Sequence, residues 1–363
     1  MRRPSKLSLL FILSIISAFY LAPSTLRVNI LPLLSKLKFL RFSMSTSMTP
    51  RDRTDLKDLQ TFWRKALDDL PATPEKIPAF FFGHGSPLLV SGAAASSRFG
   101  PDVWKWYGPE GPLATFLKDF GPALLKKYQP KGIVVFSAHW ETDNERLVTD
   151  YGDENPLLMD YYNFSPDYYQ LKFKSKGDSA LSKRVVELYQ EAGQKARLTP
   201  KSEARGDDGR GYPGPGLDHG VFIPFKIMFG EEYTEIPIVQ VSIDSGLSPG
   251  AHWALGKAVA KLREEGILVL SGGLTFHNLR AMAAGPTPLA TEFDDAILAS
   301  VVVADESERK QAMINLTKHA GFRACHPREE HFMPIYVAAG AGEGGEPKVI
   351  ADIAGCETVA FGL

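Results

Sequence analysis

The chain of 363 residues has little cysteine: Cys325 and Cys356 are its only two. Two cysteines cannot build a multi-bridge disulfide framework, and they are too few for a cysteine-based zinc site. Any metal in this protein must therefore be held by histidine and carboxylate side chains. The net charge of -1 also provides no strongly basic face, so the composition does not predict a nucleic-acid partner.

Acidic residues are missing from the first 51 positions, which are rich in Lys and Arg. The apolar run "LSLLFILSIISAFYLA" within them is shorter than the roughly 20 residues that span a bilayer comfortably. A basic start before such a run is typical of a signal or anchor sequence, and the acid-free stretch equally suits an organelle transit peptide. Met44 and Met48 leave a third possibility, an unused leader. Residues 1–51 are therefore expected outside the fold. The protein is cytoplasmic if the leader is unused, and otherwise mitochondrial, secretory or membrane-anchored.

Strand-like and helix-like segments alternate after the leader. Residues 52–75 predict an amphipathic linker helix. Short apolar runs predict buried strands in "IPAFFFG", "KGIVVFSAHW", "IPIVQVSID" and "GILVLSGG". Helices are expected in "SALSKRVVELYQEAG", "SPGAHWALGKAVAKLREEG", "ATEFDDAILASVVV" and "PREEHFMPIYVAAGAG". This alternation predicts an α/β fold for residues 76–363, a single three-layer domain with a central mixed, largely parallel sheet covered by helices.

Three of the eight histidines stand at the ends of predicted strands. His84 follows the first strand in "FFFGHGSP", His139 ends the second in "VVFSAHW", and His277 follows "ILVLSGG" in "LTFHNLR". The carboxyl ends of parallel strands meet at one edge of a sheet, so these side chains are predicted neighbours. One such histidine is more often a hydrogen-bonded structural residue. Three at equivalent strand ends favour a metal site with open coordination positions.

Two further histidines have a context that suggests function. His219 follows the Gly/Pro-rich stretch 204–216, and long loops of this kind are often functional. His331 is expected at the start of the last helix, where Glu329 and Glu330 are candidates to face the same site. Of the remaining three, His252 is expected on a helix face, and His319 and His326 are expected at the surface or in loops.

The glycines around His84 do not form a phosphate loop. The stretch "GHGSP" matches neither G-x-x-x-x-G-K-[ST] nor G-x-G-x-x-G. Ser86 and Pro87 are instead predicted to begin a helix, as its N-cap and first-turn proline.

Five motifs, in this order, resemble the class III extradiol ring-cleavage dioxygenase family, and within it the 4,5-DOPA dioxygenase type: "GHGSP", "SAHW", "DHG", "HNLR" and "REEHFMPIYVAAGA". The resemblance extends over residues 77–363. It implies extradiol ring opening of a catechol, DOPA-like substrate with O2. A small aromatic diol and O2 are therefore the expected partners.

The resemblance also implies a non-haem metal site at His84 and His139, completed by His331. The protocatechuate-cleaving branch of the family has a glutamate at the position of His331. His277 resembles a catalytic histidine that acts as acid and base, and it is also a candidate fourth metal ligand. His219 resembles a further catalytic histidine that orients oxygen or substrate.

An all-imidazole ligand set suits zinc as well as ferrous iron, and the Irving–Williams order favours zinc. We therefore expect Fe(II) to be needed for activity and Zn(II) to be bound in purified protein. Because zinc has no redox chemistry, two alternatives stay open. One is a zinc-dependent hydrolase that uses the same histidine cluster, and the other is a non-enzymatic metal-binding relative.

Candidate substrate-binding residues are Tyr161, Phe164 and Arg280. Tyr161 and Phe164 belong to the aromatic stretch "DYYNFSPDYYQLKF" and are suited to pack against an aromatic ring, although they equally suit core packing. Arg280 is a candidate partner for a substrate carboxylate or for an acidic residue of the protein itself.

Overall fold

The computed structural model describes residues 55–72, 74–92, 101–205, 214–282 and 287–363. The expected leader 1–51 and most of the Gly/Pro-rich stretch 204–216 lie outside the described residues. The strands are β1 (Ala79–Gly83), β2 (Gly132–Thr142), β3 (Arg146–Asp150), β4 (Lys174–Ser175), β5 (Ala196–Pro200), β6 (Glu232–Tyr233), β7 (Ile238–Asp244), β8 (Ile267–Gly273), β9 (Lys348–Ala351) and β10 (Thr358–Phe361). The helices are α1 (Leu56–Asp68), α2 (Pro101–Tyr107), α3 (Pro112–Tyr128), α4 (Ser179–Glu191), α5 (His219–Phe229), α6 (Pro249–Ala258), α7 (Leu279–Met282), α8 (Pro288–Val301), α9 (Glu306–Asn315), α10 (Phe322–Cys325) and α11 (Pro334–Ala341).

Eight of the described strands form one sheet in the order β5-β3-β7-β2-β8-β1-β10-β9. Strands β2, β8 and β1 lie side by side and run parallel, and β2–β7 and β3–β5 are parallel pairs too. The β1–β10, β10–β9 and β3–β7 pairs are antiparallel. The prediction of a mixed, largely parallel sheet is confirmed.

The predicted strands are apolar throughout because both faces of the sheet are covered. Phe80 and Phe82 of β1 belong to the core on one face, with residues of α1, α3 and α5. Phe81, which points the other way, belongs to the core on the opposite face, with residues of α4, α6, α8 and α11. Side chains of a strand alternate between faces, so a strand buried on both sides needs a continuous apolar run.

Helix α1 occupies the segment expected as a linker helix and packs on the same compact unit as the sheet. Asp55 caps it by accepting a hydrogen bond from the backbone N–H of Lys57. Its apolar face is buried, and the indole of Trp63 donates to Asp119 of α3 over 2.9 Å. The amphipathic pattern therefore reflects packing on α3 and the neighbouring core.

Helices α4, α6 and α8 lie where the sequence predicts them. The last helix is shorter than predicted, because it begins only at Pro334, whose missing N–H suits a first helical turn. Ser86 accepts from the backbone of Leu88 and caps a short 3-10 helix, Pro87–Val90, which confirms the predicted helix start. None of the described helices combines the length and the hydrophobicity that a bilayer crossing requires.

Candidate metal centre

Neighbouring parallel strands bring two of the predicted histidines together. His84 directly follows β1. His139 lies inside β2 and not after it, beyond Ser137, where the pairing with β8 ends. The β2–β7 register shifts between Phe136 and Glu141, and such an irregularity re-aims side chains. The ring centroids of His84 and His139 are 4.8 Å apart, as convergence of the strand ends predicts.

Two glycines allow the backbone to approach closely at this edge of the sheet. The N–H of Leu274 donates to the carbonyl oxygen of His331 over 2.8 Å. A Cβ on Gly273 would lie 2.4 Å from that oxygen, so only glycine fits at the end of β8. Gly85 has φ 71°, a left-handed conformation that favours glycine, and its carbonyl oxygen lies 2.7 Å from Nδ1 of His84.

The rings of His84, His139 and His331 are buried and face one another. Each offers a ligand nitrogen, and these nitrogens lie within 4.8 Å of one another. Nε2 of His139 is 2.9 Å from Nε2 of His331. Two imidazole nitrogens at this distance, with a third nearby, form the donor set expected around a small cation.

The second nitrogen of each ring supports this interpretation. In His84, Nδ1 lies 2.7 Å from the carbonyl oxygen of Gly85. In His139, Nδ1 lies 3.1 Å from Oδ2 of Asp160. In His331, Nδ1 lies 2.9 Å from Oε1 of Glu330. Oxygen acceptors at Nδ1 favour the tautomer that carries its lone pair on Nε2. Metal-binding histidines commonly show this arrangement, so the residues fit a bound metal.

Asp160 connects a candidate ligand with a second histidine. Its Oδ1 accepts from the backbone N–H of His219 over 2.8 Å and lies 2.7 Å from Nδ1 of the same residue. Its Oδ2 faces His139. Burial alone would raise the pKa of Asp160, but His219 and His139 hold that pKa well below its ordinary value. The carboxylate is therefore ionised. It accepts hydrogen bonds from His219 and lies within ion-pair distance of His139.

Glu330 makes a similar connection on the other side of the cluster. Its Oε1 lies 2.9 Å from Nδ1 of His331 and 3.5 Å from Nδ1 of His277. Arg328 approaches its Oε2 to 3.5 Å while forming a two-pronged ion pair with buried Glu141. Glu141 lies near His139 on β2, so this pair links that strand to the segment that carries His331.

The charges of this part of the cluster follow from burial and from neighbouring rings. Burial opposes ionisation of Glu330, but His277 and His331 outweigh it and lower the pKa of the carboxyl group. Burial, and then the nearby His277, lower the pKa of His331 well below its ordinary value. His331 is therefore neutral, the form in which an imidazole binds a metal.

A buried polar network supports His139 from behind. Asp218, the residue before α5, accepts from the hydroxyl of Ser137 over 2.7 Å, from Gln240 over 2.5 Å and from Arg205 over 2.9 Å. Its Oδ1 is 3.7 Å from Nδ1 of His139. All four polar side chains of the network are fully buried, which fixes the strand end behind the ring.

The sequence did not identify the carboxylates Asp160 and Asp218 as site residues. Asp160 begins the aromatic stretch and Asp218 directly precedes His219, but an aspartate before a helix usually signals only an N-cap. Of the two glutamates expected near the site, Glu330 contacts the histidines, whereas Glu329 pairs with Arg323. No local signal distinguishes the two.

The candidate substrate-binding residues lie in different settings. The ring of Tyr161 is 5.6 Å from that of His219, and its hydroxyl donates to the carbonyl oxygen of Tyr168 over 2.5 Å. Phe164 packs on Tyr161, with ring centroids 5.4 Å apart. Arg280 is exposed on the short helix α7, three residues after His277.

The three remaining histidines lie outside the cluster. His252 is on a helix face as predicted, fully buried, with Nδ1 2.8 Å from the carbonyl oxygen of Ser248. His326 lies in the loop after α10, but it is fully buried among phenylalanine rings, and its Nε2 lies 2.8 Å from the carbonyl oxygen of Thr275. His319 is half-buried in a turn.

The chain is similar to several known proteins. A family described as the catalytic LigB subunit of aromatic ring-opening dioxygenase matches residues 80–360. The chain is 38% identical over 306 residues to a Schizosaccharomyces pombe protein called 4,5-DOPA dioxygenase extradiol-like protein. This match covers 83% of this chain and 97% of the relative. It is 30% identical over 275 residues to the 4,5-DOPA dioxygenase extradiol of Beta vulgaris, with coverage of 75% and 89%. A crystal structure of an uncharacterized Escherichia coli K12 protein superimposes with a TM-score of 0.54 at 26% identity, over 79% of this chain and 100% of the other.

Proposed function

Because this chain belongs to the aromatic ring-opening dioxygenase family of the catalytic LigB subunit, we propose that its substrate is a catechol, a DOPA-like aromatic diol, which it opens at a single metal site. As a member of this family, the chain is an extradiol dioxygenase. Enzymes of this family depend on a metal and act on a small aromatic substrate and O2.

The observation that carries the proposal is the convergence of His84, His139 and His331, which would hold the metal. Three protein ligands leave coordination positions open for reactants, as catalytic sites require. A ferrous ion supplies redox chemistry and lowers the pKa of the hydroxyl groups that bind it.

Two more histidines stand beside the ligands and are suited to handle protons. His277 stacks on His331 and is 25% exposed at its side chain, so a substrate can reach it. We assign it the acid and base role: it takes a proton from a catechol hydroxyl and returns one when the ring opens. His219, whose ring centroid is 4.0 Å from that of His139, orients the substrate or oxygen. His277 is also a candidate fourth ligand, and it groups with Glu330 and His331.

We propose that the aromatic side chains next to His219 form a wall of the substrate pocket. Tyr161 presents its ring there, and Phe164 supports Tyr161 from behind. Aromatic rings pack favourably against a catechol ring. Arg280, exposed on α7, would pair with a carboxylate on the substrate.

Fe(II) is the metal proposed for activity, with Zn(II) bound in purified protein. The three imidazoles provide no carboxylate to favour iron, so the general preference for zinc applies. Activity with each metal distinguishes a dioxygenase from a zinc-dependent hydrolase, because zinc has no redox chemistry with which to react with oxygen.

The decisive experiment loads metal-free protein anaerobically with Fe(II) or Zn(II) and adds oxygen with a panel of catechols that includes DOPA. The proposal expects oxygen uptake and a yellow ring-opened product with Fe(II) only. Hydrolysis of esters or amides by the Zn(II) form, without oxygen uptake by either form, would identify a zinc hydrolase instead. Metal binding with no turnover of any substrate would identify a non-enzymatic relative.

A further inference from the structure

The structure assigns a positioning role to Asp160, a residue outside the candidate ligand set. We propose that its carboxylate fixes the proton on Nδ1 of both His139 and His219. His139 then presents the lone pair of Nε2 to the metal, and His219 presents Nε2 as a hydrogen-bond acceptor for a substrate hydroxyl. This inference rests on the proposed function, which gives His139 and His219 their roles, but its test involves neither catechol nor oxygen.

The geometry of Asp160 leaves little freedom to either ring. Oδ1 holds His219 twice, at the backbone N–H over 2.8 Å and at Nδ1 over 2.7 Å. Oδ2 lies 3.1 Å from Nδ1 of His139. The carboxylate is 0% exposed at its side chain, so water does not compete for its oxygens. A carboxylate only accepts hydrogen bonds, so it favours the proton on Nδ1 in each ring that faces it.

The other carboxylates near these histidines are less well placed. Asp218 is 3.7 Å from Nδ1 of His139, and its oxygens are engaged by the side chains of Ser137, Gln240 and Arg205. Glu330 holds His331 at 2.9 Å but stands 3.5 Å from His277. Asp160 thus lies closer to each of its two histidines than Glu330 lies to His277.

The position of Asp160 also couples the metal ligand to the pocket wall. The next residue is Tyr161, whose ring packs 5.6 Å from that of His219. The aromatic wall, His219 and His139 are therefore held by two successive residues. A change at Asp160 is expected to reach the metal as well as the substrate side.

The test replaces the carboxylate by a group that cannot accept on both sides. In Asp160→Asn the amide oxygen still accepts from one ring, but the amide nitrogen donates to the other and forces the opposite tautomer there. The backbone N–H of His219 favours the oxygen on its own side, so His139 is the ring expected to lose its Nδ1 proton. Zn(II) affinity, measured by competition with a chromophoric chelator, should fall by about 10–100-fold, the usual effect of losing such a partner.

Asp119→Asn is the matched control, because Asp119 pairs with Trp63 and Arg64 of α1 and with none of the candidate ligands. That variant should bind Zn(II) as the unaltered protein does. If folded Asp160→Asn also binds with unaltered affinity, the positioning role of Asp160 is wrong.

A second measurement needs no stable variant at Asp160. Long-range nitrogen–proton NMR spectra of metal-free protein with labelled histidine report which ring nitrogen carries the proton. The proposal expects Nδ1 protonation at both His139 and His219, assigned by single substitutions of each. A proton on Nε2 with none on Nδ1, at either residue, would overturn it.

Discussion

The ring of His277 stacks on the ring of His331, with centroids 3.4 Å apart and planes inclined by 19°. His331 points Nε2 toward His139, whereas His277 lies alongside His331 and faces Glu330 with Nδ1 at 3.5 Å. The two histidines therefore have separate positions relative to the cluster of candidate ligands.

Replacing His277 by Ala should leave zinc bound and lower turnover of the Fe(II) enzyme by about 100- to 10,000-fold, the range for loss of a general acid or base. Replacing His331 by Ala should abolish both zinc binding and turnover, because it removes a proposed metal ligand. Metal content by elemental analysis and oxygen uptake separate the two effects. Loss of metal from the His277 variant would make that residue a ligand.

Glu330→Gln should weaken Zn(II) binding by about 10–100-fold, since the amide is a poorer acceptor for Nδ1 of His331. Glu329→Gln is the matched control, because Glu329 pairs with Arg323 instead. Chelator competition measures both. Equal affinities in the two variants would contradict the role given to Glu330.

Buried His252 should make the fold less stable in mild acid. Burial lowers its pKa from 6.5 to about 4, so between these values the unfolded chain takes up a proton that the folded chain does not. The free energy of unfolding should therefore decrease as the pH falls from about 6.5 to about 4, and His326 acts in the same direction. His252→Asn, which keeps a donor for Ser248, should remove up to about 1.4 kcal/mol per pH unit of this slope. Urea unfolding at several pH values measures it, with His319→Asn as control. An unchanged slope in His252→Asn would be inconsistent with a neutral buried ring.

Tyr161 should contribute its ring and not its hydroxyl to the substrate pocket, because the hydroxyl is bonded to the carbonyl oxygen of Tyr168. Tyr161→Phe should lose about 1 kcal/mol of stability and keep kcat/KM. Tyr161→Ala should raise KM by about 10-fold, the value of one aromatic contact. Steady-state kinetics with a catechol and thermal unfolding check both, and a large kinetic defect in Tyr161→Phe would argue against the assignment.

Arg280→Ala should raise KM for a catechol that carries a carboxylate and leave KM for unsubstituted catechol unchanged. Its guanidinium is exposed, so the change should not affect folding. If the substitution changes KM by the same factor for both substrates, Arg280 is not a substrate-binding residue.

The apolar runs were sufficient to predict most of the architecture. Strands β1, β2, β7 and β8 and helices α4, α6 and α8 lie where the pattern places them, because strands buried on both faces and amphipathic helices differ in periodicity. The start of the last helix was predicted too early, since helical spacing does not reveal where a turn such as the one before Pro334 ends. His326 lies in a loop, one of the two settings expected for it, but its burial was not predicted because that burial depends on α8 and α10 folding over it.

The amino-acid sequence by itself determined that His84 and His139 meet, because parallel strands must end at the same edge of a sheet. Only the tertiary structure decided which nitrogen each ring presents and which carboxylate holds it. Asp160 and His219 are 59 residues apart, and the hydrogen bond between them depends on side-chain directions that no spacing encodes. The meeting of the histidines is thus a consequence of topology, whereas the proton positions that would let them bind a metal depend on packing.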